Sequence, residues 1–191
     1  MGSFYVNLCV KTNEVAALLP VLESTGSKGI LVDDESGWLV VTTEQIETQN
    51  QTEIDLLGQA ITEKLSVMAV SFLNHDDDML SVDVYAKGLR VGSYNSAPWC
   101  FVEDPSPEDM KPKLVNPAAY AALGDDISEE DVSKVFEPDI SFIFAPQLHA
   151  DIAGLLGLSM MSVGFGYRYA VQGDFAAAKD KMVAFGGAVL N

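Results

Sequence analysis

Phe4-Tyr5-Val6-Asn7-Leu8-Cys9-Val10 and Val67-Met68-Ala69-Val70-Ser71-Phe72-Leu73 bracket the part of the chain whose reading decides the fold. The first alternates, with Phe4, Val6, Leu8 and Val10 on one face, as a half-buried strand does. The second is almost continuously apolar, which marks a strand covered on both faces. Between them, Thr12 or Asn13 is placed to cap a helix whose Val15, Ala16, Leu18, Leu19 and Leu22 recur at helical spacing, ended by Gly26 and Gly29. Ile30-Leu31-Val32, the turn Asp33-Asp34-Glu35-Ser36-Gly37 and Trp38-Leu39-Val40-Val41-Thr42 read as a hairpin. Thr52 is expected to cap a second helix carrying Ile54, Leu57, Ile61 and Leu65, with Glu53 and Asp55 near its positive end and Lys64 near its negative end.

The order is therefore βαββαβ, the ferredoxin-like motif of two helices on one face of an antiparallel sheet. A further hairpin follows, Met79 to Tyr85 and Leu89 to Tyr94, turning at Lys87-Gly88. Counting back from that turn pairs Val84 with Val91 and Tyr85 with Arg90. Leu80, Val82, Val84 and Val91 then share the buried side, and Asp83, Tyr85, Arg90 and Tyr94 the other. After Tyr94 the texture changes: Pro98, Pro105, Pro107, Pro112 and Pro117 make an irregular connector. Helices are expected from Pro117 to Leu123, from the capping sequence Ser128-Glu129-Glu130-Asp131 to Phe136, from Pro146 to Leu156 with Gly157 as its stop, and from Asp174 to Phe185. Met160 to Tyr169 reads as a short apolar stretch. The expected class is α+β: a ferredoxin-like βαββαβ antiparallel sheet extended by a β-hairpin (residues 1–97), with a mainly helical C-terminal half (residues 98–191) wrapped on it as part of the same domain.

A hydrophobic fraction of 48% with 20% charged residues suits a folded globule. The charge balance is lopsided, with 28 acidic residues against 11 basic ones and a formal net charge of -17. Such a surface repels phosphate backbones, so no nucleic acid is expected as a partner. The acidity suits solubility or a saline habitat, a patch that steers a basic protein partner, or a divalent-cation site. Met1-Gly2-Ser3-Phe4 enters the first strand without a basic segment, an apolar run or a cleavage box, and no apolar stretch approaches 18 residues; a cytoplasmic protein without a membrane span is expected. Cys9 and Cys100 are too few for a disulfide framework or a structural zinc site. No cofactor is implied beyond a possible divalent cation.

Two features could carry chemistry. The turns Asp33-Asp34-Glu35 and His75-Asp76-Asp77-Asp78 are expected on one rim of the sheet, two to three strands apart and too distant for a single ion to bridge. A metal would have to be held by His75, Asp76 and Asp78 with backbone carbonyls, although this turn lacks the glycine and distal glutamate of a calcium loop. His75 beside carboxylates could also act as a base, but no activated serine or cysteine stands near it. His149 reads as an exposed or satisfied helix histidine rather than a ligand. The chain carries no hydrolase elbow, no zinc-protease helix and no phosphate loop. Gly164-Phe165-Gly166-Tyr167 fails the dinucleotide fingerprint, and its glycines suit close backbone packing. The second feature is aromatic: Tyr94-Asn95-Ser96-Ala97-Pro98-Trp99 and Gly166-Tyr167-Arg168-Tyr169 would form a binding hot spot from Tyr94, Asn95, Ser96, Trp99, Tyr167, Arg168 and Tyr169 if exposed together. Otherwise the aromatics pin the C-terminal half to the sheet.

Asp76-Asp77-Asp78-Met79-Leu80 to Tyr85, Gly88, Tyr94-Asn95-Ser96 and Pro98 resemble a pattern in a poorly characterised family of bacterial proteins, whose later segment is similar to Gly166-Tyr167-Arg168-Tyr169 with Gly173. The resemblance implies a bacterial-type cytosolic protein and no substrate. The function expected from the residues is that of a non-enzymatic binding or regulatory module whose acidic face recruits a basic partner. The alternatives are a metal-dependent hydrolase at the His75 to Asp78 turn and a small-ligand sensor.

Overall fold

The computed structural model describes residues 2–33, 35–137 and 144–190; Asp34 of the first acidic turn lies outside them. The elements run β1 (Phe4–Val10), α1 (Val15–Ser24), β2 (Gly29–Asp33), β3 (Leu39–Thr43), α2 (Gln51–Leu65), β4 (Met68–His75), β5 (Met79–Ala86), β6 (Leu89–Asn95), β7 (Lys113–Val115), α3 (Pro117–Ala121), α4 (Glu129–Phe136), α5 (Ala145–Leu156), α6 (Tyr167–Gln172) and β8 (Met182–Phe185). The strands form one antiparallel sheet ordered β7-β6-β5-β4-β1-β3-β2-β8. The class is α+β, but the order of this eight-stranded sheet is not that of a ferredoxin-like sheet, because three strands extend one edge and β8 adds to the other.

Side chains alternate between two packed layers. Val6, Leu8 and Val10 of β1 face Leu18 and Leu22 of α1 and Ile54, Leu57 and Ile61 of α2. Cys9 of β1, Val70 and Phe72 of β4 and Val82 and Val84 of β5 face the opposite way, onto Tyr120, Phe136, Leu148 and Ile152 from the C-terminal half. A strand covered on both sides cannot alternate apolar with polar, which is why β4 reads as a continuous apolar run.

Caps follow the side chains that can reach an unpaired N–H. Asn50, not Thr52, caps α2: its Oδ1 accepts from Thr52 N at 2.9 Å. Ser128 and Asp131 close a reciprocal capping box on α4, as its sequence requires. The helix expected from Asp174 to Phe185 is absent. Gly173, with φ 91°, ends α6; a 3₁₀ turn spans Ala176–Lys181; and β8 then pairs with β2. Gly29 makes that pairing possible, since a Cβ there would sit 2.2 Å from Phe185 Cζ.

Two further expectations are corrected. β5 and β6 pair Tyr85 with Arg90 but Val84 with Gly92, so a bulge at Val91 shifts the register. An extra residue reverses every side chain beyond it. Tyr94 consequently pairs with Val82 and joins the buried side rather than the face of Asp83 and Tyr85. The two acidic turns also lie at opposite ends of the sheet. His75 pairs with Phe4, at the start of β1, whereas Asp33 pairs with Leu39, which pairs with Val10 at its end.

Candidate functional site

The end of the sheet where β1 begins gathers most of the singled-out residues. Asp76 and Asp77 take φ of 52° and 62°, and Asp78 N donates to His75 O at 3.1 Å. Aspartate tolerates the left-handed region that Asp76 and Asp77 adopt in this three-residue connection, so backbone geometry already accounts for these residues. Their carboxylates hold the chain start: Gly2 N donates to Asp76 Oδ1 at 3.0 Å, and Ser3 N to Asp77 Oδ1 at 3.0 Å. The Ser3 hydroxyl and Asn74 Nδ2 donate to the same Asp77 oxygen. Burial acts to raise the pKa of Asp77, but these donors prevail and leave it below the ordinary carboxylate value.

His75 donates from Nδ1 to Gln49 Oε1 at 2.6 Å and meets the rings of Phe4 and Phe101 edge to face, at 4.9 and 5.1 Å. His75, Asp76 and Asp78 do not converge as a ligand set: among the described residues, no three histidine, cysteine, aspartate or glutamate side chains do.

The aromatic segments separate. Tyr94 is 2% exposed and packs edge to face on Phe136 at 4.9 Å. Asn95 Oδ1 accepts from Ala97 N at 2.9 Å and Ser96 Oγ from Leu80 N at 2.8 Å, so both fix the exit of β6. Trp99 is half-buried on the α1/α2 side of the sheet, whereas Tyr167 packs on the other side. The exposed group of this region is one that sequence reasoning missed: Phe101, 70% exposed, with Val102 and Met110 in the same connector.

On α6, Tyr167 N donates to Glu47 Oε2 at 3.0 Å. Burial raises the pKa of Glu47 against that bond and another from the Arg168 backbone. The Arg168 guanidinium lies 4.9 Å from the centre of the Tyr169 ring and donates to its hydroxyl at 3.1 Å. The same hydroxyl accepts from Phe4 N at 3.3 Å. Gly166 fits against β1 because it lacks a Cβ, which would lie 2.8 Å from Tyr5 Cβ. Tyr169 thereby meets the acidic turn across an open cleft of about 490 Å³, lined by Gly2, Ser3, Asp77, Gly164, Tyr169, Asp174 and Phe175.

Two buried polar groups lie apart from this cleft. His149 is fully buried, stacked on Phe72 at 3.9 Å, with Nδ1 2.8 Å from the Tyr5 hydroxyl. Its Nε2 has no partner among the described residues, and burial lowers its pKa to about 3. Across the sheet, Asp83 is 3% exposed, and burial raises its pKa to about 6. Gln51 Nε2 donates to Asp83 at 2.8 Å and to Asp55 at 3.0 Å, while Tyr85 donates to Asp55 at 2.9 Å. Arg90 lies 3.5 Å from Asp55 and 3.8 Å from Asp83. The alternation that put Asp83, Tyr85 and Arg90 on one face was the sequence signal for this cluster. Comparison with protein-family models, curated proteins and solved structures finds no match to the chain.

Proposed function

We propose that the protein is a non-enzymatic binding module that recognises a basic protein partner. The observation that carries this reading is the connector between β6 and β7, which displays Phe101, Val102 and Met110 among Glu103, Asp104, Glu108 and Asp109. Exposed apolar groups amid a net negative charge, with Lys111 offsetting only Glu108, suit an interface whose centre is desolvated and whose rim steers an oppositely charged partner. The Phe101 ring against His75 ties this connector to the acidic turn, so both features belong to one end of the sheet. No helix among the described residues is long and apolar enough to cross a membrane. A cytoplasmic setting goes with the exposed thiol of Cys100.

We also infer that the inner run β4-β1-β3-β2 with α1 and α2 acts as a ferredoxin-like unit to which the other strands are added. Its neighbouring strand order and the two helices sharing one core support this.

The functional reading is tested by recovering partners on the immobilised protein, identifying them by mass spectrometry and titrating the purified pair at several salt concentrations. A basic protein should bind more weakly as salt rises. A Phe101→Ser/Met110→Ser variant, changed only at exposed positions, should bind at least tenfold more weakly, as expected when anchoring side chains are removed. Binding that ignores both salt and the double substitution would end this reading.

A further inference from the structure

We infer that the cleft between the chain start and α6 seats a single cationic side chain, a lysine ammonium or an arginine guanidinium, supplied by the partner; the inference rests on the function proposed above. Asp77 and Asp174 both line the cleft, and neither has a lysine or arginine partner among the described residues, where the ion pairs engage other acids. Among the described residues, the side-chain hydrogen bonds of Asp77 run to Oδ1, which leaves Oδ2 to accept from a ligand. Those bonds also keep the group ionised.

The remaining walls suit a cation. Tyr169 and Phe175 present aromatic rings, and the Tyr169 ring already holds the guanidinium of Arg168 at 4.9 Å. Ring faces attract cations most strongly where water is partly excluded, and carboxylates beside them add direct charge. The position is fixed from below: Asn7 Nδ2 donates to Ser162 O at 2.7 Å and Phe165 O at 2.8 Å, and Phe165 meets Phe175 edge to face at 5.1 Å. Gly164 leaves the mouth open, since a Cβ there would meet nothing within 4 Å. A volume of about 490 Å³ suits a side chain with part of its flanking backbone.

The test is a ¹⁵N NMR titration at low ionic strength with Nα-acetyl-lysine amide, Nα-acetyl-arginine amide and the uncharged Nα-acetyl-norleucine amide, followed by a lysine- and arginine-rich decapeptide. The expected result is saturable shifts of the Asp77, Gly164, Tyr169 and Asp174 amides with the cationic probes and none with norleucine amide. Asp174→Lys, at an exposed position, places a tethered cation in the cleft and should weaken the cationic probes at least fivefold. If the decapeptide binds but shifts only the 98–112 connector, the cleft assignment falls while the basic-partner reading survives. If neither the decapeptide nor the small cations shift any surface, both fall. Equal response to norleucine amide overturns the cation specificity.

Discussion

At the scale of single residues, His149 and Asp83 respond to acid with opposite signs. Burial holds His149 near a pKa of about 3, below its ordinary 6.5, so the native state keeps it neutral while the unfolded chain takes up a proton. Its contribution is fully present above pH 6.5 and is lost as the pH falls toward 3. Asp83 is raised from 3.8 to about 6, so its contribution is fully present below pH 3.8 and is lost as the pH rises through 6. A tenfold difference in proton affinity between the folded and unfolded chain is worth about 1.4 kcal/mol, so between pH 6.5 and 4.5 His149 alone should cost about 2 to 3 kcal/mol. His149→Phe preserves the stack on Phe72 and should flatten the acid limb of stability measured by urea unfolding from pH 8 to 4. Asp83→Asn should steepen it. Parallel curves for His149→Phe and the native protein would show that the histidine is not buried neutral.

At the scale of elements, β8 shows how a strand can depend on a residue far away in the chain. The Phe185 ring lies over Gly29, so Gly29→Ala has to displace it and loosen the outermost pairing of the sheet. The expected loss is about 2 to 3 kcal/mol, comparable to a sizeable core defect. In a Phe185→Ala background, the same Gly29→Ala change should cost less, because the ring clash is gone and only the approach to the Thr42 carbonyl oxygen, 2.6 Å from that Cβ, remains. Additive losses would contradict this account. The pairing also explains what the sequence could convey. The double burial of β4, the Asp76-Asp77 turn and the capping box of Ser128 and Asp131 depend on neighbours along the chain, and all were legible. The bulge at Val91 was not. Gly92 lies under α3, where a Cβ would come within 3.0 Å of Ala119 Cβ, and no local count of alternation records that approach. The placement of the acidic turns was lost similarly, because it depends on which end of β1 each partner strand meets. At the candidate site, Tyr169 and the acidic turn were each visible as residues. Their meeting across the cleft is a product of the fold of the intervening chain, and Phe101 passed unnoticed inside a proline-rich segment.

At the scale of the whole molecule, the dominant quantity is the formal net charge of -17. A compact chain of 191 residues has a radius of gyration of about 16 Å. The screening length is about 30 Å in 10 mM salt and about 10 Å in 100 mM. At the lower concentration, then, each carboxylate feels most of the others, whereas at the higher one it feels only its neighbourhood. The ion pairs Lys28–Glu44, Lys111–Glu108 and Lys134–Glu130 are solvent-exposed and contribute little against that repulsion. Expansion on unfolding relieves the self-repulsion, so salt should stabilise the native state even as it weakens those few pairs. Raising NaCl from 10 to 300 mM should increase Tm by about 5 °C, equivalent to about 2 kcal/mol for a chain of this size. The same salt series should weaken a basic partner, so stability and binding are expected to move in opposite directions. A Tm that stays flat or falls would mean that local attraction, not summed repulsion, governs this surface, and would remove the electrostatic basis for steering a basic protein.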